Sequence, residues 1–373
     1  MLMNDYVDLS KPTMPPMAEY MHEVSSLWDN RRITNIGEKH NELEKQLGDY
    51  LEVPYLSLFV NGHSALECAL HSLNLPGGEI ITTPFTFAST LLSIIRCGFT
   101  PKFCDIKDSD FTLDSDKIEG LITDKTVAIL PVHVFGNICD VDMIAKVSKM
   151  HNLRVVYDAA HAFGARKLGI GIGNFGDISM FSFHATKVFH TIEGGGLSYG
   201  DSSLMEYCAR FRNFGLRDEE SCIVGTNSKM SEFQAAMGLC NLRYIDSYIE
   251  KRKRLALLYS ELLEPVQGVL TRQEQIDVES NYSYYPIRVI KEIAGFSRDG
   301  LLEKLAKNGI HARRYYYPLV SQYSILDKNN NPEATPIAET VSSEILVLPL
   351  YPDLGEDDVL RICRVISMSS AAI

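Results

Sequence analysis

The chain has one tryptophan and no uninterrupted apolar run approaching the ~18 residues a membrane helix needs, so no membrane span is read from it. Its opening, MLMNDYVDLSKPTMPP, lacks a basic segment leading into an apolar one, and no secretory leader is expected there. Cysteine occurs without pattern: Cys68, Cys97, Cys104, Cys139, Cys208, Cys222, Cys240 and Cys363 stand singly, with no CxxC pair. That spacing argues against a disulfide framework or a zinc site, and for reduced thiols in a cytoplasmic protein with no metal. Basic charge is short as well. Lysine and arginine number 36 against 48 acidic residues, a formal charge of −12, which gives no general attraction for nucleic acid or an acidic membrane. A local pocket can still be positive and hold a small anion.

No internal repeat or low-complexity tract interrupts the chain. What it does contain is alternation. After a polar N-terminal arm, residues 41–51 (NELEKQLGDYL) have helical spacing. From Leu56 short apolar strands alternate with helical segments, through YLSLFV, EIITTP, TPKFCDI, TVAILPVHVF and LRVVYDA, with a helix from Val141 to His151. Such alternation predicts an α/β layer structure with a largely parallel sheet, which delivers polar residues to the carboxyl ends of its strands. DISMFSF and GGGLSYG read as two further strands around the loop HATKVFHTIE. A helical stretch from about Ser231 to Leu263 follows, and its basic run KRKR (251–254) reads as a solvated face. The remainder, with SYYPIRVI and SEILVLPL, predicts a smaller α+β domain. The expected division is residues 1–250, a large cofactor-binding domain with its arm, and residues 251–373. Gly171–Gly176 (GIGNFG) matches GxGxxG, but it leads into a strand where dinucleotide binding requires a helix start. A glycine-rich hairpin is the better reading.

Four segments carry candidate chemistry. Asp158 ends the apolar run VVYD; a carboxylate there could hold a pyridinium nitrogen protonated, or simply cap a helix. Lys187, in SFHATK between two apolar strands, could bond to an aldehyde cofactor and then move protons; a lone lysine is otherwise a surface charge. Asn61-Gly62-His63-Ser64 joins a strand to a helix, where backbone N–H groups suit phosphate and Gly62 permits close approach, or where Ser64 merely caps. Phe87, just after a strand, could stack on an aromatic ring or pack in the core.

Taken in order and spacing, these segments resemble the DegT/DnrJ/EryC1/StrS family of sugar aminotransferases. The resemblance runs from about Trp28 to the C-terminal domain, through ITNIG, NGHSALECAL, TPFTFAST, ILPVHVFGNICDVDMI, VVYDAAHAFGA, FSFHATK, EGGGL and NSKMSEFQAAMGL. It implies the type I, aspartate-aminotransferase-like fold and the cofactor pyridoxal 5′-phosphate (PLP). Carried over by position, it makes Lys187 the lysine bonded to the cofactor and Asp158 the partner of the ring nitrogen. It sets His161 near the phenolic oxygen, Phe87 on the ring, and Gly62, His63 and Ser182 at the phosphate. Asn227 would reach that phosphate from a neighbouring subunit, because the family builds its sites at a homodimer interface. His184 belongs to the motif, as a substrate contact or a packing residue. Three departures stand out: His63 where threonine is usual, Gly196 where alanine is frequent, and Ser228-Lys229 where Tyr-Arg is frequent.

One branch of the family carries histidine in place of the lysine and removes a sugar hydroxyl, so Lys187 favours transamination. The segment HARRYYYP offers Arg313, Arg314, Tyr315 and Tyr317 to a nucleotide-sugar diphosphate, unless the arginines pair with surface acids. WDNRRITNIG, HATKVFHTIEGG and NSKMSEFQAAMGL look most like the branch that aminates dTDP-4-keto-6-deoxyglucose, with glutamate as donor. Amination at C3, UDP- or GDP-linked sugars, and a non-catalytic regulator of the same fold are the alternatives.

Overall fold

The structure, a computed structural model, describes residues 6–326 and 334–370. Helices α1 (Met17–Asn30) and α2 (Glu38–Leu51) lead into strand β1 (Tyr55–Phe59). Then come α3 (Gly62–Ser72), β2 (Glu79–Thr82), α4 (Ala88–Arg96), β3 (Thr100–Phe103), β4 (Thr126–Leu130), α5 (Val141–His151) and β5 (Arg154–Asp158). A small hairpin, β6 (Arg166–Lys167) and β7 (Ile170–Gly171), precedes β8 (Ile178–Ser182) and β9 (Gly195–Tyr199). The GIGNFG segment therefore forms hairpin and turn, and leads into strand β8 as its sequence predicts.

Seven strands form one sheet in the order β1-β9-β8-β5-β4-β2-β3. Neighbours from β8 to β3 pair in parallel, while β9 runs antiparallel to both β8 and β1. Apolar residues alternate across it, as the two-residue strand period requires. Val155 and Tyr157 face a core shared with α2 and α5, through Leu47 and Ile144. Val156 faces the opposite core with Leu66 of α3 and Ile94 of α4. Covering both faces explains why these strands read as almost continuous apolar runs.

After α6 (Ser203–Phe211) and a ribbon of β10 (Leu216–Arg217) and β11 (Glu220–Ser221), the predicted long helix is two helices. Ser231 caps α7 (Glu232–Leu242) in a reciprocal capping box with Gln234, and the chain breaks before α8 (Ile245–Leu263). At the break, Arg243 binds Glu19 at 3.1 Å and also Glu23 of α1, and Tyr244 bonds Glu19. The basic run in α8 needs correction at one position. Lys251, Lys253 and Arg254 are exposed, but Arg252 is buried and donates from Nη1 to the carbonyls of Leu350 (2.9 Å) and Ser283 (3.3 Å).

Beyond α8, β12 (Val269–Leu270), β14 (Tyr285–Val289) and β15 (Ile345–Leu348) form a second antiparallel sheet, while β13 (Val278–Glu279) pairs back onto β6. Helices α9 (Lys291–Ala294), α10 (Arg298–Lys307), α11 (Pro336–Glu344) and α12 (Glu356–Ser370) complete the chain. Ile245 belongs to the first core and Leu255, Tyr259 and Leu263 to a second, so α8 passes from one to the other. The arm joins the second core too: Val7 bridges in parallel to Ile310. Among the described residues no helix is long and apolar enough to cross a membrane, and no group of three or more His, Cys, Asp or Glu could hold a metal ion. All eight cysteines are free.

Candidate active site

Parallel strands place their carboxyl ends on one edge of the sheet, and here that edge borders a cavity of about 590 Å³. Ten of the residues singled out in the sequence line it: Gly62, His63, Phe87, Asp158, His161, Ser182, His184, Lys187, Arg313 and Tyr315. Asn227, Arg314 and Tyr317 do not. Arg314 lies 3.6 Å from Asp299 and over the Tyr317 ring at 5.0 Å, on the outer surface. Asn227 is exposed; its Oδ1 accepts from Lys229 Nζ at 2.9 Å, and its backbone bridges Asn213. It does not cap α7, since Ser231 does.

One end of the cavity is a helix start. Asn61, extended, caps α3 by accepting the Ser64 N–H at 2.8 Å. A Cβ on Gly62 would sit 3.1 Å from Ser182 Cβ and 3.2 Å from Met180 Sδ, so the helix start and the end of β8 touch here. The EGGG run has a matching cause. A Cβ on Gly195 would lie 2.6 Å from the Asn61 carbonyl carbon and the Gly62 nitrogen, too close for any side chain. His63 uses the place of the usual threonine differently. Its Nδ1 meets the hydroxyls of Ser89 (2.9 Å) and Ser93 (3.1 Å), and its Nε2 lies 3.5 Å from Glu67.

Lys187 sits on the loop between β8 and β9. That loop is closed at its base by hydrogen bonds from Phe183 N–H to the Gly194 carbonyl (2.8 Å) and from Thr191 N–H to the Phe183 carbonyl (2.9 Å). His184 braces it, with Nδ1 2.8 Å from Thr186 Oγ1 and Nε2 3.6 Å from Glu193. Lys187 Nζ reaches to 3.5 Å from the Tyr284 hydroxyl. Burial lowers its pKa to about 8, against the opposing pull of Tyr315 and Asp158. Roughly a tenth of the amine is therefore unprotonated at pH 7, far more than for an ordinary lysine, and the neutral form is the one a nucleophile requires.

Asp158 is not a helix cap. Burial raises its pKa, while hydrogen bonds from Thr90 (2.8 Å) and the Ala160 N–H (3.1 Å) and the charge of Lys187 oppose the rise. His161 is held neutral, its pKa well below the ordinary value through burial first and Lys187 second. Its Nδ1 accepts the Phe135 N–H at 3.1 Å, which leaves the proton on Nε2. Phe87, at the start of α4, is 55 % exposed. The chain beyond α8 supplies Tyr284, Tyr316 and Tyr315, with the Arg313 guanidinium 4.5 Å over the Tyr315 ring. Leu9 and Ser10 of the arm complete the wall. Tyr284 and the arm were missed, looking like core and surface in their local context, while Thr86, Ser89, Glu193 and Tyr316 lie inside segments singled out in the sequence but were given no role of their own.

This donor set fits PLP. A helix start beside a serine suits a phosphate, a buried carboxylate suits a protonated ring nitrogen, and a partly neutral amine suits an aldehyde. Bound there, the cofactor supplies an electron sink for carbanion chemistry at an amino-bearing carbon.

Comparison with known proteins agrees. Residues 17–367 match the DegT/DnrJ/EryC1/StrS aminotransferase family, and the chain belongs to it. It is thus a PLP-dependent sugar aminotransferase of type I fold. A dTDP-4-amino-4,6-dideoxy-D-glucose transaminase from Escherichia coli is 38% identical over 371 residues, covering 98% of this chain and 99% of that one. A GDP-perosamine synthase from Caulobacter vibrioides is 33% identical over 346 residues, 91% and 92% of the two chains. The crystal structure of DesI in the presence of its TDP-sugar product superposes with a TM-score of 0.94 at 30% identity, covering 99% of this chain and 94% of that one.

Proposed function

We propose that the enzyme transfers an amino group from glutamate to C4 of dTDP-4-keto-6-deoxyglucose, working as a homodimer with shared sites. The observation that carries the sugar assignment is the 38% identity, over nearly the whole chain, to a dTDP-4-amino-4,6-dideoxy-D-glucose transaminase. The GDP-perosamine synthase, at 33%, ranks behind it. Lys187 would hold the cofactor through its aldehyde and, once released, would move the proton at the substrate carbon. Asp158 holds the proton on the ring nitrogen, and His161, with its proton on Nε2, faces the phenolic oxygen. Gly62, His63 and Ser182 hold the phosphate, and Phe87 covers the ring. Asn227 serves the partner's phosphate. His184, Arg313 and Tyr315 contact the substrate; Arg314 and Tyr317, tied up with Asp299 and each other, are left out of that role.

Two half-reactions follow, and PLP bound here would carry the amino group from the first to the second. Glutamate gives up that group and leaves as 2-oxoglutarate, the keto sugar takes it up and leaves as the amino sugar, and Lys187 moves the proton in both. The test is the reverse reaction, offering 2-oxoglutarate and a panel of dTDP-, UDP- and GDP-linked 3- and 4-amino sugars, followed by mass spectrometry. The dTDP-linked 4-amino-4,6-dideoxyglucose should turn over at least about tenfold faster than the others, a margin of roughly 1.4 kcal/mol. Preference for a 3-amino or GDP-linked sugar would overturn the sugar assignment.

A further inference from the structure

Asp158 does not stand alone at the end of β5. The Thr90 hydroxyl donates to its Oδ2 at 2.8 Å, and Thr90 Oγ1 lies 2.8 Å from Thr86 Oγ1. Thr90 is 0 % exposed, Thr86 1 % and Asp158 4 %, so Thr90 is closed off from water and its two partners show only a sliver of surface to the cavity. A hydroxyl has one proton to give. Thr90 directs its proton at the carboxylate, so it must accept from Thr86. Donation therefore runs one way, from Thr86 on the cavity wall through Thr90 to Asp158. Helical threonines commonly bond back to a carbonyl one turn earlier in their own helix. Thr90, in the first turn of α4, instead reaches a strand 68 residues along the chain.

We propose that Thr90, backed by Thr86, is a positioning residue that keeps Asp158 charged and aimed during transamination. The inference rests on the reading of Asp158 as partner of the ring nitrogen. A carboxylate removed from water keeps its charge only where donors replace its hydration, and each lost donor raises its pKa. A neutral carboxyl cannot balance a protonated ring nitrogen. Together with the charge of Lys187, which also favours the ionised carboxylate, the threonine chain thus sets the acid limit of activity.

Thr90→Val, nearly isosteric, removes the donor; Thr90→Ser keeps it. For Thr90→Val, kcat should fall about ten- to a hundredfold with KM for both substrates within about twofold, as for a lost bond to a charged group that matters in the transition state. The acid limb of its kcat profile should move up by about one pH unit, and the cofactor absorbance should titrate with it. Thr90→Ser should restore kcat and the acid limb, and Thr90→Ala repeats the comparison with a smaller side chain if valine disturbs folding. An unmoved acid limb in both the valine and alanine variants overturns the proposal, as does a serine variant no better than valine. Asp158→Asn, run alongside, separates the two levels. Near wild-type turnover there would remove the cofactor reading itself, whereas a crippled Asp158→Asn beside an unaffected Thr90→Val removes only the role of Thr90.

Discussion

Lys187 is a cation half-buried in a cavity with no carboxylate bonded to it among the described contacts, and the strain should be measurable without any turnover. Its folded pKa, about 8, lies below the ordinary 10.5 because burial disfavours charge. The unfolded chain thus binds the proton more tightly, and stability from this group rises with pH between about 8 and 10.5. Below that window the penalty is fully present; above it both states are neutral and the penalty is gone. Cofactor-free Lys187→Met should therefore be more stable than wild type at pH 7 by about 1–2 kcal/mol, discounted for the cavity's solvent, with the gap closing toward pH 10.5. Melting temperatures across pH check this, and a gap independent of pH would assign it to packing. In the loaded enzyme, borohydride should fix the cofactor to Lys187, and peptide mapping that finds the adduct on another lysine refutes the assignment. Asp158, Ser182 and Lys187 were legible in the sequence because each lies at or just past a strand end. Thr90 and Tyr284 were not, because their meaning comes from partners 68 and 97 residues away.

The helices show where pattern reading succeeds and where it stops. Helix α5 begins and ends as read, with Asp140 accepting the Met143 N–H and Asn152 in the left-handed conformation closing it. The break between α7 and α8 was hidden, since no Gly or Pro marks it and the residues at it are met by Glu19 and Glu23 of α1, more than 200 residues earlier. Burial of Arg252 was equally invisible in a run of four cations. It makes a sharp contrast within one helix. Arg252→Ala should cost about 2–4 kcal/mol, for a large void and the unpaired Ser283 and Leu350 carbonyls. Arg254→Ala, which removes an exposed pair with Glu356 at 3.2 Å, should change stability by less than about 0.5 kcal/mol. Urea unfolding of the two variants tests the difference, and equal losses would mean that Arg252 carries no special role.

At the scale of the whole molecule, the proposed shared site makes activity depend on how subunits pair. If Asn227 serves the partner's site, Lys187→Ala and Asn227→Ala subunits fail for different sites. A mixed dimer then has one doubly damaged site and one with both wild-type groups, by twofold symmetry. Mixing after dissociation should raise activity above that of either parent, toward about one quarter of wild type, since half of randomly paired dimers are mixed and each has one good site. No gain, with exchange demonstrated and both parents impaired, removes the trans role, and a strictly monomeric active enzyme removes the shared site. The family was legible at this scale because its blocks keep their order along nearly the whole chain. The docking of the arm was not, because nothing around Val7 announces its partner. That docking has a bearing on biosynthesis. Val7 leaves the ribosome long before Ile310, and its neighbour Asp8 waits through 303 residues for His311. The arm must therefore travel undocked through most of translation, so a nascent chain stalled within α8 should expose Val7 and Leu9 to a protease that the finished protein resists.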